Sequence, residues 1–501
     1  MRTRGQSKYP VVVDRAGAPD LARVWIVGAR AKPREIESEL SRFSASERLR
    51  DPLALALRGL SAIVSGDARG GSAVLRRAFE RSEGAARIAL ADLLAPQLIS
   101  QGALDEALHV LDIAGEPHGD FRPAHAALRA IIAAQRGEDR RSAALAESAL
   151  EPARTADEPL ITARSVQRIG LAAFYRDDFV EAEERSLEAA RAFERADALG
   201  PATTAYTVLY AIAYGHLNDA MMARIYAERI ATLAQRDGNH QMHVHGLVAQ
   251  IELAAESGDE RRLGSVRGRL LAMPHSEQFR ERFSYVLATA IDHIWNRRFD
   301  SARAMLSREL ERDQPVPADH LLAEALLSLL DAARWDIEST RRRSQRVINR
   351  TAQHPPHEPL YERHRRRVAR VLAASAGLLT GDIARSRRAL GSEYDPDGVF
   401  VATTLEGGAD VQRFPLLLRG FARILNIVAE AASAAQPQAH LTATELKILR
   451  ALPSSASVND MAHHFHNSPR TIERHLTNIY AKLQAKNRIE AIRRARSLGI
   501  E

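Results

Sequence analysis

The chain contains no cysteine in its 501 residues, which excludes disulfides and thiolate metal sites. Aromatic residues make up only 5% of it. With Ala, Leu, Arg and Glu abundant, that shortage favours helix over sheet. No apolar run reaches the roughly 18 residues that a membrane helix needs, and no Arg-flanked apolar run opens the chain. The expectation is a cytoplasmic protein without membrane contact. No Gly-x-x-x-x-Gly-Lys-Ser/Thr loop occurs, so a P-loop ATPase is not expected. Asp14 follows Val11-Val12-Val13, yet no receiver-type phosphoacceptor set with a later strand and lysine accompanies it. No Ser, His or Asp sits in a strand–turn–helix nucleophile context. Nothing warrants an enzyme, and no cofactor is expected.

What is present suffices to fold throughout. Hydrophobic residues at 45% and charged residues at 27% are ordinary for globular chains, and the length calls for two or more domains. The net charge of +7 is uneven: residues 440–501 hold 10 Lys and Arg against 5 Asp and Glu, leaving 60 against 58 elsewhere. Most of the positive surplus thus lies in a short C-terminal stretch, where it either attracts phosphate or merely solubilises a surface.

Before Gln438 the pattern is a succession of helix pairs. Turns are expected at Gly66-Asp67, Gly102, Gly137-Glu138, Asp177-Asp178, Asn218-Asp219, Gly258-Asp259, Arg297-Arg298, Trp335-Asp336 and Gly381-Asp382, mostly 35 to 41 residues apart. That is the range of helical solenoid repeats, whose pairs bury their apolar faces by stacking on neighbours. The clearest unit runs from Leu171 to Phe193. It has Ala172-Ala173-Phe174-Tyr175 before the turn and Phe179-Val180-Glu181-Ala182 after it, and residues 297–302 and 102–107 repeat its second half. This unit resembles a tetratricopeptide repeat, although the spacings exceed that family's 34 residues. A plain helical array without that ancestry stays open.

Two stretches break the pattern. Residues 9–13 and Val24-Trp25-Ile26-Val27 read as short strands or an N-terminal cap, and residues 395–410 as a loop or hairpin. An apolar helix from Phe414 to Ala434 and a proline-broken linker follow. The expected division is an N-terminal cap or irregular segment at 1–36 and the repeat domain at 37–390. An irregular segment with a connecting helix follows at 391–433, then a linker at 434–439 and a C-terminal domain at 440–501.

Four helices are expected in that last domain. Thr442 and Glu445 form a capping box, opening a helix with Leu446, Leu449 and Leu452 on one side. Ser457 caps a second helix carrying Met461, Ala462 and Phe465. A turn at His466-Asn467 leads to a third, capped by Ser468 with Pro469 at its first position. Asn487 caps the fourth. On the third helix Ile472, Leu476, Ile479 and Leu483 form a buried stripe, while Arg470, Glu473, Arg474 and Thr477 face outward. An apolar stripe behind a polar face, preceded by a short helix, is the geometry that enters a DNA major groove.

The residues from Leu441 onward resemble the LuxR-type (GerE) DNA-binding domain. The resemblance rests on Leu441-Thr442 with Glu445, Ser457 with Asp460-Met461-Ala462, and Ser468 with Thr471-Ile472. It continues through His475, Ile479, Lys482-Leu483, Arg488 and Ala491. It implies an all-α protein: a helical-hairpin, TPR-like solenoid followed by a four-helix LuxR-type helix-turn-helix domain. It also implies base reading at Glu473, Arg474 and Thr477. The candidate phosphate contacts are Ser468, Arg470, Thr471 and Lys482. The fourth helix, with Ile489, Ile492, Arg493 and Arg496, is the implied dimer helix, although Ile492 equally suits core packing. Three positions depart from the family's usual residues: Glu473 replaces Lys, Thr444 replaces Arg and Val458 replaces Asn. Glu473 either accepts from a cytosine amino group or is a solvated acid or surface ion pair.

The implied function is a sequence-specific transcription regulator, by family habit an activator, binding double-stranded DNA as a homodimer with RNA polymerase as a further candidate partner. The repeat domain would sense or dock a peptide, a small molecule or another protein; the sequence leaves these open. The rival reading is an interaction scaffold whose helix-turn-helix serves dimerisation. A third is a regulator that works only beside an ATPase-bearing partner. His463, His464, His466 and His475 lack a carboxylate or thiol at ligand spacing, so no metal is expected. The runs Arg341-Arg342-Arg343 and Arg363 through Arg367 are expected to be solvated helix faces, with a second surface for nucleic acid or an acidic partner as the alternative.

Overall fold

A computed structural model describes residues 21–117, 119–273, 283–311, 317–352, 360–390, 418–435, 441–453, 457–483 and 485–497. Every regular element among them is helical. The expectations for residues 9–13 and 395–410 lie outside the described residues. The chain divides into two compact units, one of residues 1–285 with 355–361, the other of residues 286–354 with 362–501.

The first unit begins with α1 (Leu21–Arg30), α2 (Pro33–Leu40) and α3 (Glu47–Arg50). Helical hairpins follow: α4 (Pro52–Val64) with α5 (Ala68–Glu80), α6 (Gly84–Ser100) with α7 (Leu104–Ile113), and α8 (Phe121–Gln135) with α9 (Asp139–Arg154). Next come α10 (Pro159–Tyr175) with α11 (Phe179–Arg195), α12 (Leu199–Ala211) with α13 (Ala220–Asp237), and α14 (His240–Ser257) with α15 (Glu260–Leu271). The second unit takes up the pattern with α16 (Phe283–Trp295) and α17 (Phe299–Leu310), α18 (Pro317–Ala333) and α19 (Ile337–Thr351), then α20 (Leu360–Leu379) and α21 (Ile383–Leu390). It ends with α22 (Arg419–Ala435) and a domain of four helices, α23 (Ala443–Ala451), α24 (Val458–His464), α25 (Pro469–Lys482) and α26 (Arg488–Ser497).

The hairpin turns fall where the sequence placed them. Gly66, Gly102, Gly137, Asp177, Asn218, Gly258, Arg297, Trp335 and Gly381 all have positive φ. A left-handed residue ends a helix by letting the next amide reach a carbonyl five residues back. Asp178 N donates to Ala173 O at 3.0 Å, and Asp336 N to Asp331 O at 3.0 Å. The residue after the turn then opens the partner helix. Asp67, Asp178, Asp219, Asp259 and Asp336 each accept a backbone N–H of that helix. One dipeptide therefore stops one helix and starts another. At Asn218 the α12 end is π-helical (Ile212–His216), and the extra residue shifts the bond, so that Asp219 N donates to Ala213 O.

Small residues set the distance between paired helices. A Cβ at Gly59 would lie 2.8 Å from Gly71 O, and one at Gly71 would lie 2.6 Å from Gly59 O. Ala172, Ala173 and Ala182 are fully buried where α10 meets α11.

Three expectations are corrected. Val24 to Val27 is not a strand, because it lies inside α1. Its β-branched and aromatic residues belong to a helical stripe, with Val24, Trp25, Val27 and Ala29 buried, and packing overrides local propensity. Among the described residues the first helix begins at Leu21, and residue 36 lies inside α2. The arginine run 363–367 is no solvated face. Arg365 and Arg366 are buried, Arg365 pairs with Asp319, and Arg366 donates to Arg350 O at 3.2 Å. Arg343 likewise pairs with the buried Asp331 at 2.9 Å. The described part of the connecting helix starts at Arg419, and its end at Ala435 takes up two residues of the expected linker.

Candidate nucleic-acid interface

Local chemistry builds the four-helix domain. Thr442 Oγ1 accepts from Glu445 N at 3.2 Å, while Glu445 Oε2 accepts from Thr442 N at 2.7 Å. The same box recurs at the second helix, where Ser457 N donates to Asp460 Oδ2 at 2.8 Å and Asp460 N to Ser457 Oγ at 3.2 Å. His466, at φ 51°, makes the turn, and Asn467 N reaches back to Ala462 O at 3.0 Å. Ser468 then caps α25 through Thr471 N at 3.2 Å, with Pro469 opening the helix.

The core is one cluster. Ile448, Leu449, Leu452, Met461, Ala462, Ile472, Leu476, Ile479 and Leu483 are buried together with Ala491 and Ala495. Ile448 takes the place expected for Leu446, which is only half-buried. The stripe on α25 is as expected, and it turns the opposite face outward: Arg470, Glu473, Arg474 and Thr477 are all exposed. Thr477 Oγ1 donates to Glu473 O at 2.9 Å, which leaves its oxygen lone pairs outward. No ion pair to Glu473 occurs among the described residues, so the surface-pair reading of this acid falls away there. Ser468 and Thr471 place their hydroxyls 2.8 Å apart at the start of the helix, where the helix dipole leaves a partial positive charge.

Lys482 sits differently from the other candidates. Its ammonium lies 2.6 Å from Glu445 Oε2, a carboxylate with only 3% of its side chain exposed. Burial pushes this carboxyl up, but hydrogen bonds from Lys482 and Thr442 outweigh that and hold it below the ordinary carboxylate value. The lysine thus ties α25 to α23. The sequence distance of 37 residues gives no local signal of that pairing.

Two arginines have roles that spacing did not reveal. Arg488 donates to Leu452 O, and Arg494 donates to Leu483 O at 2.8 Å and to Glu490 at 2.9 Å. Both fasten α26 to helix ends whose carbonyls lack intrahelical partners.

On α26, Ile489 is 71% exposed, Arg493 is exposed and Ile492 is half-buried against the core. The side chain of Arg496 lies outside the described residues. Ile489 and Arg493 line a cavity of about 260 Å³ shared with Ile337, Arg341 and Thr380 of the same unit. His463, His464 and His466 are exposed. No group of three or more metal-ligating side chains occurs among the described residues, and none of the described helices is long and apolar enough to cross a membrane.

Comparison with known proteins places this geometry. Residues 439–495 match the family model described as bacterial regulatory proteins, luxR family. No curated protein matches the chain. A solved structure described as the APC/C hetero-tetramer Cut9-Hcn1 aligns over 95% of both chains at 13% identity, with a TM-score of 0.34. That score is too low to assign a fold to the array. The capped helices, the buried stripe and the outward polar face coincide with the matched residues, and the C-terminal part of this chain is a luxR-family helix-turn-helix domain, the DNA-binding portion of a transcription regulator.

Proposed function

We propose that the chain is a sequence-specific transcription activator that reads double-stranded DNA as a homodimer through the outer face of α25. Arg474 pairs bidentately with a guanine, Glu473 accepts from a cytosine amino group, and Thr477 contacts the neighbouring base. Arg470 and the Ser468–Thr471 helix start hold phosphates. Lys482 is left out of the contacts because Glu445 holds it. Ile489 and Arg493, with Arg496, form the dimer face, and two such domains read an inverted repeat. The helical hairpins dock the effector, and the regulator acts in the cytoplasm beside RNA polymerase.

One observation carries this reading: Arg470, Glu473, Arg474 and Thr477 are all exposed while Ile472 and Ile479 anchor the helix from behind. Selection of sites from random DNA tests it. The wild-type chain is expected to select one motif, and Glu473→Ala to relax the preference at one base position. An unchanged motif removes Glu473 from base reading. Absence of binding by the wild-type chain even at low salt favours an interaction scaffold instead.

A further inference from the structure

In the first unit, α1 belongs to no hairpin. It lies across the first helices of successive hairpins, packing on α4, α6, α10 and α12, and through Trp25 on Phe121 of α8. The approach is close: a Cβ at Gly28 would lie 2.7 Å from Leu60 Cδ1 and 3.2 Å from Leu93 Cδ1. Trp25 is the anchor. Its ring meets Phe121 edge-on, with centroids 5.6 Å apart, and the Arg164 guanidinium lies 6.0 Å from its ring centre. Its Nε1 donates to Asp92 Oδ2 at 3.2 Å.

Beneath the indole is a polar cluster assembled from three hairpins. Asp92 on α6 is wholly buried and pairs with Arg168 on α10. Arg164 lies 3.5 Å from the same carboxylate, and Arg168 also donates to Asp92 O at 3.0 Å. His125 on α8 is buried alongside, 3.2 Å from Ile88 O. Burial works against this carboxylate, but the two guanidiniums outweigh it and hold it ionised. Burial also lowers His125, which favours its uncharged ring. One carboxylate therefore faces two guanidiniums under the indole.

Buried acids pair with arginines elsewhere among the hairpins, as Asp319 does with Arg365 and Asp331 with Arg343, but the carboxylate of Asp92 also serves a helix outside them. Burying such a cluster is costly and does little for stability by itself, whereas a fixed acceptor at the floor of an apolar site confers selectivity. Here the acceptor is aimed at the N–H of a side chain from outside the array. Beyond α1, at the start of α2, Lys32 pairs with Asp197.

We propose that α1 is a resident ligand in a helix-binding site, and that the site takes an amphipathic helix of a partner protein whose tryptophan replaces Trp25 over Asp92. This rests on the reading that the hairpins dock an effector, and it names the effector's chemistry and the segment it displaces. An incoming helix competes with α1, so its apparent affinity is reduced by the small fraction of chains in which α1 has left.

The test uses the full chain and a synthetic peptide of residues 21–32 carrying a fluorophore. The Trp25→Ala chain is expected to bind the peptide about tenfold or more tightly than the wild-type chain does, because the open fraction has risen. A peptide with Trp25→Phe, which lacks the N–H, is expected to bind the Trp25→Ala chain several-fold more weakly than the native peptide. Hydrogen exchange on the wild-type chain gives a reading that does not depend on the variant folding. Amides of residues 21–30 should exchange faster than those of 88–99 and 160–173, and faster still with excess unlabelled peptide. Equal protection of all three segments, unaffected by peptide, overturns the proposal, as does failure of the peptide to bind the folded Trp25→Ala chain. Neither readout involves DNA or a natural partner. Their failure would remove this site alone, while docking elsewhere on the hairpins would be judged by isolating partners from the chain with α1 intact.

Discussion

Two polar surfaces of this protein are built in opposite ways. On the first helices of the array, Asp92, Arg164 and Arg168 lie under α1 and are matched by Trp25 and by one another. On α25, Arg470, Glu473, Arg474 and Thr477 stand in solvent. The first surface is completed by the chain itself, so its charges are desolvated and mutually dependent. The second leaves its charges in solvent. The same residue types should therefore give large stability effects in one place and large binding effects in the other.

Asp92→Ala should produce the largest change. It leaves two guanidiniums buried without their carboxylate and should cost about 3–5 kcal/mol of folding stability, read from urea unfolding followed by circular dichroism. A loss near zero would mean that water or another acid satisfies these arginines, and the contrast between the surfaces would fail. Arg474→Ala should leave the unfolding midpoint unchanged and weaken binding to the preferred site by about 1–3 kcal/mol, with relaxed preference at one base pair. Fluorescence anisotropy on matched and mismatched duplexes measures both. Arg470→Ala should weaken all sequences alike and reduce the salt slope of binding by about one unit, as a titration over several salt concentrations will show.

The smallest effect sharpens the comparison within the domain, since the half-exposed Lys482 covers the buried carboxylate of Glu445. The folded Glu445 carboxyl lies below its unfolded value, so its stabilisation is present above the ordinary carboxylate range. It is lost as pH falls through the depressed folded value. Glu445→Gln should flatten the acid side of the thermal-stability profile, measured by melting the chain at a series of pH values. Lys482→Met should flatten it in the same sense, although DNA binding would fall little if the lysine touches no phosphate.

Much of the architecture could be read from short stretches. Gly-Asp, Asn-Asp and Trp-Asp pairs marked turns because a left-handed residue and an N-capping acid act within a few positions of each other. The capping boxes at Thr442 and Ser457, and the stripe Ile472–Leu476–Ile479, were equally local. The misreadings came where a segment's partner lay far away. Val24–Val27 looks like a strand in isolation, and only the first-helix face on which it packs makes it a helix. The arginines at 363–367 look solvated until α18 brings Asp319 to Arg365.

The sequence by itself determined that this is a chain of helix pairs followed by a capped, basic domain of the DNA-binding helix-turn-helix type. Helix ends, periodicity and turn residues are set by φ preferences and hydrogen bonds spanning a handful of residues. Tertiary structure alone decided that α1 seals the array over Asp92, that Lys482 turns inward to Glu445, and that Arg488 and Arg494 fasten the last helix. Those outcomes depend on charges separated by tens of residues finding one another in a desolvated site, and no local pattern encodes which acid a given cation will meet.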